Sequence, residues 1–399
     1  MSTFIISNGD LVSAVKKASV SEKNTYELKV APQVEPNSGK YMASLCTCNG
    51  SVQTIAFLLV TSENVTEEVN MIFPSTFSKT VTTLAAYTDA DFKIEVNESI
   101  CSISCGEASI KLDMLPSAVR IEPLDPNTNK FAQVTVETGK LKRAIEIGSS
   151  AMSSEEGKMA AVRNAVELAP VTIGGVDQFR VISVDTLGVL AAGAMAEIKQ
   201  AGGLDDMLNK KTYVLNSVFC RIVNSIHSET VDLFLFDKQV MMRDGNDFYV
   251  ITPNAASFPE EISAGLYADM PKEYSMSVEQ KSLTSALDIV LIGASSIEDN
   301  KACLSISNGI VEVRALKRNN RAGVTATDVA GETAIGVNGA LLKRAIAHLG
   351  TDITISGVNP QTPIFIKNGD PGVAVFAAPC QIEADSDAEK TSGEEEMQE

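Results

Sequence analysis

The chain has 399 residues, 44% apolar and 21% charged, with 33 Lys and Arg against 51 Asp and Glu for a formal charge of −18. That balance excludes a disordered chain and is enough for two to four cored domains. No apolar run approaches the ~20 residues of a membrane span, and Met1–Phe4 opens no signal peptide, so a cytoplasmic protein without a membrane partner is expected.

Seven scattered cysteines, an odd number, do not resemble a secreted disulfide framework and read as reduced thiols. Cys46-Thr-Cys48 and Cys101-x-x-x-Cys105 supply the residue types of a zinc site, but both lie in alternating apolar stretches where a spacing of two puts small residues on one strand face. No metal or cofactor is expected. The acidity is uneven: residues 383–399 carry eight acids against one Lys, which is −7 of the −18, and read as a solvated, disordered tail.

Taken in chain order, the predicted elements repeat three times with a period of roughly 120 to 140 residues. The first copy begins with Phe4 and Ile6 at strand spacing and Leu11, Ala14 and Val15 at helix spacing, a strand running into an amphipathic helix. Its second helix starts at Pro74-Ser-Thr-Phe77-Ser-Lys79, and it closes on β-rich sequence through Ile110, Leu112 and Pro116. The second copy gives Val134 and Val136, then Leu141, Ala144 and Ile145, a helix from Asn216 through Phe219 and Arg221, and a close at Phe248, Val250 and Pro253. The third gives Met276 and Val278, then Leu283, Ala286 and Leu287, a helix from Asn338 through Leu341 and Lys343, and a close at Val373, Val375 and Pro379. Domains at 1–125, 126–268 and 269–383 are expected, followed by the tail at 384–399.

These pieces, in this order, resemble the bacterial DNA polymerase III β subunit family, the three-domain sliding clamps, up to about Ile382. The best local matches are Val250-Ile-Thr-Pro253-Asn-Ala-Ala-Ser-Phe258-Pro259, Ile335-Gly-Val-Asn338 and Ala374-Val-Phe-Ala-Ala-Pro379. The resemblance implies an α+β fold of three repeated clamp domains, each with two helices on antiparallel sheets, and two chains closing head to tail into a ring lined by helices. It implies a non-catalytic processivity factor whose partners are encircled duplex DNA, a replicative DNA polymerase, a clamp-loader ATPase, other clamp-motif proteins and a second copy of itself. Ile110 and Leu112 of one chain would then meet Ile292, on the first helix of domain three, of the other.

If paired helices face the hole, the cations near phosphates are Lys16, Lys17, Lys79, Lys140, Lys142, Arg143, Arg221, Lys281, Lys343 and Arg344. Solvation of amphipathic helices is the bland account of any one of them, but a cation recurs at one aligned position of each second helix, as Lys79, Arg221 and Lys343. A mildly basic lining on an acidic protein suits sequence-independent sliding, because tight phosphate contacts would impede it. By resemblance, an apolar partner-peptide groove between domains two and three would be walled by Val162, Val184, Thr186, Leu187, Val189, Pro259, Asn338, Leu341, Pro363, Phe376, Ala377, Ala378, Pro379 and Cys380. The family's usual Asp-Gly-His-Arg-Leu is replaced by Asp185-Thr-Leu-Gly-Val189, and Ala378 and Cys380 stand where methionines are frequent.

An enzyme lacks its constellation: no phosphate loop, dinucleotide fingerprint, zincin motif or nucleophile elbow occurs. The two histidines, His227 and His348, fall near the ends of predicted helices, and a hydrolase using Cys220 or Cys303 would need a nearby base. Two other readings stay open, a phage or plasmid clamp serving a different polymerase and a self-assembling β-rich structural protein that binds no DNA.

Overall fold

The computed structural model describes residues 2–20, 25–32, 39–62, 65, 67–152, 164–185, 190–202, 212–267, 271–296, 298–307 and 309–382. Its elements recur three times in one order. The first repeat is β1 (Ser2–Ile6), α1 (Asn8–Ala18), β2 (Thr25–Val30), β3 (Lys40–Cys48), β4 (Val52–Thr61), β5 (Val69–Phe73), α2 (Thr76–Tyr87), β6 (Phe92–Asn97), β7 (Ile100–Cys105) and β8 (Ala108–Asp113). The second is β9 (Phe131–Glu137), α3 (Thr138–Gly148), β10 (Ala165–Ile173), β11 (Val176–Asp185), β12 (Leu190–Gly202), β13 (Tyr213–Asn216), α4 (Ser217–Ser225), β14 (Thr230–Phe236), β15 (Val240–Asp244) and β16 (Asp247–Ile251). A short helix that the sequence did not announce, α5 (Glu260–Gly265), precedes the third. That repeat is β17 (Tyr274–Glu279), α6 (Gln280–Val290), β18 (Lys301–Ser307), β19 (Ile310–Ala315), β20 (Arg321–Ala330), β21 (Thr333–Asn338), α7 (Gly339–Ile346), β22 (Asp352–Gly357), β23 (Ile364–Lys367) and β24 (Ala374–Ala377).

One spacing rule generates the opening of each repeat. The strand buries alternate residues, Phe4 and Ile6, Val134 and Val136, or Met276 and Val278. The helix then buries a stripe at i, i+3, i+4 and i+7: Leu11, Ala14, Val15 and Ala18; Leu141, Ala144, Ile145 and Gly148; Leu283, Ala286, Leu287 and Val290. Gly148 has a steric reason to be glycine, since a Cβ there would lie 2.6 Å from the Val181 carbonyl oxygen. The second helices begin where a side chain can cap them: Asn216 Oδ1 accepts from the Val218 N–H and Asn338 Oδ1 from the Leu341 N–H, each at 3.1 Å. Ser75 sits at the same place before α2 but makes no such bond.

The chain forms two compact units, one of Met1–Arg143, Glu167–Phe179 and Ala196–Ala256, the other of Ala144–Val166, Arg180–Met195 and Ser257–Glu399. In the first, antiparallel strands run in the order β5-β2-β3-β4-β1-β6-β7-β8. α1 lies against β3 and β4 and beside α2. Phe73 and Phe77 stack at 4.4 Å between ring centroids in the core beneath. The start of β4 also pairs with β16, Val52 opposite Ile251 through Ile55 opposite Phe248, which leads on through β15 and β14 to β9.

The second unit contains the same eight-strand order, β21-β18-β19-β20-β17-β22-β23-β24. Here the start of β12 pairs with β24, Leu190 opposite Ala377 through Gly193 opposite Ala374. The two seams are alike: each sets the first residues of a repeat's third post-helix strand against the last strand of the next repeat.

Buried polar groups clasp the connection between the first two repeats to the sheet. Gln53 Oε1 accepts from the Ile121 N–H at 2.7 Å, and Gln239 accepts from the Leu124 N–H at 2.8 Å while donating to the Glu122 carbonyl at 3.1 Å. Arg120 forks onto Glu27 through Nε and one Nη, and the Glu27 side chain is 2% exposed against 40% for Arg120. A buried carboxylate without its cation is costly, whereas an apolar replacement of both partners is not. Arg120→Ala is therefore expected to destabilise the first unit by about 2 kcal/mol, a figure lowered for the exposure of Arg120. Glu27→Leu combined with Arg120→Leu should cost less than half as much; urea unfolding of the three proteins measures both.

Candidate functional site

Ten cations stand on the six longer helices among the described residues, and none of them faces the buried stripe. On those helices, α1 to α4, α6 and α7, they oppose only three carboxylates, Asp10, Glu146 and Asp288, so the helices carry +7 within a chain of −18. α2, α4 and α7 contain no acid. Lys16, Lys79, Lys140, Arg143, Arg221 and Lys281 are exposed.

The remaining cations are half-buried, and their partners are specific. Lys17 bonds to Asp247, whose other oxygen accepts from the Phe57 N–H at 3.0 Å, and Lys343 bonds to Asp288 across from α6. Lys142 donates to the Ile226 carbonyl at 2.6 Å, beside an open cavity of about 560 Å³ that Glu137, Thr138, Lys199, His227 and Glu229 also line. Exposed Lys140 pairs with Glu197 at 2.8 Å, and their mutual attraction raises the lysine pKa and lowers that of the glutamate. Arg344 reaches the buried Asp185 carboxylate at 3.6 Å and the Ala151 carbonyl at 3.3 Å.

The residues of the predicted groove that the structure describes all lie in the second unit. Val184 and Asp185 end β11, Leu190 begins β12, and α7 lies against β24, with Arg344 tying the helix to β11. Ala377 is held between Leu190 and Ile364 in the sheet, next to Pro363, and Phe376 packs edge-on to Phe365 at 5.8 Å. The chain then continues through Ala378 and Pro379 to Cys380, whose N–H donates to the Gly336 carbonyl at 2.8 Å, two residues before the Asn338 cap. A Cβ on Gly336 would come within 2.3 Å of the Cys380 carbonyl oxygen, so only glycine admits this approach. Leu341, Pro363, Phe376, Ala378, Pro379 and Cys380 stay half-buried, a run of apolar surface over a fixed frame. Pro259 caps α5 and is exposed. Val162, Thr186, Leu187 and Val189 lie outside the described residues.

Two features of this frame escaped the sequence: the Asp185–Arg344 tie and the strand contact at Gly336. One expectation is corrected. Ile292 is not on the first helix of the third repeat but two residues past its end, in a turn where its N–H meets the Ile289 carbonyl at 3.3 Å; both isoleucines are exposed.

Cys48, Cys101, Cys105, Cys220 and Cys303 are buried on strands and a helix, while Cys46 and Cys380 are half-buried. Cys46 and Cys48 are on β3 and Cys101 and Cys105 on β7, strands that do not pair with each other. Burial pushes the Cys101 and Cys220 thiols up to about 12, the reverse of an activated nucleophile. Ser228 stands beside His227, but its hydroxyl donates to the Thr230 carbonyl at 2.8 Å. No described helix is long and apolar enough to cross a membrane.

No family model and no curated protein matches the sequence. Solved structures do. The DNA polymerase sliding clamp from Caulobacter crescentus superposes with a TM-score of 0.77 at 17% identity, over 96% of this chain and 100% of that one. The DNA polymerase III subunit beta from Pseudomonas aeruginosa gives 0.76 at 16% identity, over 95% and 100%. The corresponding subunit from Thermotoga maritima gives 0.75 at 14%, over 96% and 100%. The fold is that of the bacterial DNA sliding clamps.

Gly336→Ala should force Cys380 off β21 and destabilise the second unit by about 2 kcal/mol or more, read as faster hydrogen exchange of the Cys380 amide. In a thiol-reagent titration of the native protein at pH 8, half-exposed Cys380 should react well before Cys101 and Cys220. Rapid labelling of Cys220 would restore a cysteine hydrolase to consideration.

Proposed function

We propose that this chain is a DNA polymerase processivity factor: a non-catalytic ring of two copies that encircles duplex DNA, slides without reading sequence and tethers a replicative polymerase. The observation that carries the reading is the segregation of charge, with +7 on the helices of a chain that is −18 in total. Phosphates are attracted to a helix-lined surface and repelled elsewhere, and no base-reading element is required. The exposed Lys16, Lys79, Lys140, Arg143, Arg221 and Lys281 would lie nearest the DNA, with Lys17, Lys142, Lys343 and Arg344 held closer to the protein. The repeats divide the chain into domains at 1–125, 126–268 and 269–383.

The seams support ring closure. β4 meets β16 and β12 meets β24, but among the described residues the corresponding strands β20, along its first half, and β8 each keep an unpaired edge. A second copy supplies both partners, β8 of one chain lying along β20 of the other, with Ile110 and Leu112 facing the partner subunit's exposed turn at the end of α6 that carries Ile292. Two such contacts close a ring of six quasi-equivalent domains. The groove would take apolar anchors of linear peptides from polymerase and loader, Leu341, Phe376 and Pro379 forming its floor and the Asp185–Arg344 tie its brace. An ATPase loader is required, since no phosphate-binding loop is present in the sequence to open the ring.

A head-to-tail contact that did not close would instead build filaments, the self-assembling alternative. Sedimentation separates the two: the mass should plateau at two chains, and Ile110→Asp or Ile292→Asp should weaken the dimer by roughly 100-fold while leaving the fold intact. The decisive experiment loads the protein onto a nicked circular duplex with a clamp loader, washes in high salt and then linearises the circle. Retention on circles and release on linearisation are expected; loss to salt alone would sink the reading.

A further inference from the structure

We propose that opposite charges on the two open strand edges select head-to-tail pairing with a second copy, Asp113 of one copy lying beside Arg321 of the other, an inference that rests on the ring reading above. The two seams within the chain carry no charged residue: Val52–Ile55 lies on Phe248–Ile251, and Leu190–Gly193 on Ala374–Ala377. The open edges differ. β8 presents exposed Lys111 and Asp113, and β20 begins with exposed Arg321. Each seam puts the residue three before a closing proline, Val250 or Phe376, opposite the second residue of the receiving strand, Gln53 or Ala191. Asp113 holds that place before Pro116, and Arg321 stands at the start of the strand that would receive it.

The surroundings of the two residues carry the same contrast. Residues 313–327 hold Arg314, Lys317, Arg318 and Arg321 with no acid, and Arg314 lies directly opposite Arg321 in the β19–β20 pair, a like-charge placement that disfavours the isolated chain. Asp299, 3.4 Å from Arg318, offsets one of the four. Residues 89–113 hold six acids against Lys93 and Lys111, and of these acids Asp89, Asp91, Glu98, Glu107 and Asp113 are exposed. Charge on a bare edge is a general guard against strand addition. A guard alone needs no particular sign, whereas here the two edges differ in sign: two copies of β20 repel, two copies of β8 repel, and β8 against β20 attracts.

The test measures dimer dissociation of the full chain by sedimentation at low salt, for the native protein, for Asp113→Arg, for Arg321→Glu, for both changes in one chain, and for the two single variants mixed. Each single variant should dissociate about tenfold more readily than the native chain, because both interfaces of its ring set like charges together. The double variant should regain most of that loss, and so should the mixture, whose two interfaces are one native and one exchanged. High salt should narrow the differences. Losses that merely add in the double variant, or single variants that dissociate as the native chain does, overturn the charge selection and leave the ring standing. A native chain that stays a single copy, or whose mass climbs past two copies with concentration, overturns the ring reading and this inference with it.

Discussion

The antiparallel seam is the constraint on which the architecture turns. In each unit the last strand of one repeat lies against the first residues of another repeat's third post-helix strand, in matched register over four residue pairs. The seam satisfies backbone groups that would otherwise form a sticky edge, and it does so with main chain, so sequence can drift around it. It also explains why one strand pattern recurs where side chains do not: what must be kept is an edge, a length and a direction. Three repeats offer three such edges, and among the described residues two of them are used within the chain.

Helix placement follows from the same plan. Each repeat's first strand feeds directly into a helix whose stripe packs on the sheet, and the opposite face is left to solvent and to cations. Where a cation lies close to the body it is tied down by a defined group, Asp247 for Lys17 or Asp185 for Arg344, so part of the basic charge serves the fold and part remains exposed. Those ties hold the helices to the strands beside them.

Much of this was legible in the sequence because two periodicities meet at one point three times. Phe4-x-Ile6 with Leu11, Ala14 and Val15 specifies a strand and a helix stripe without knowledge of any partner, and the same holds for the later copies. The Asn216 and Asn338 caps were readable for the same local reason. What depended on distant parts of the chain was not readable. Asp185 and Arg344 are 159 positions apart, and nothing local distinguishes Gly336 from a glycine in any other strand until Cys380 is placed on it. Ile292 was placed on a helix by resemblance alone, yet the backbone turns after Val290, where Asn320 and Arg318 take up the carbonyls of Val290 and Ile292.

Net charge alone would have argued against nucleic acid, and the reason it misleads is arithmetic. Setting aside the −7 of residues 383–399 and the +7 of the six helices leaves −18 on the rest of the chain, the same value as the whole. The contrast between helix face and remainder is thus larger than the total reveals. Screening over about 8 Å keeps each surface's field local, so a polyanion senses the face it approaches and not the sum. The proposed encirclement of DNA would need this separation: attraction confined to the helix faces, weakened where cations are already paired, and repulsion over the rest of the surface.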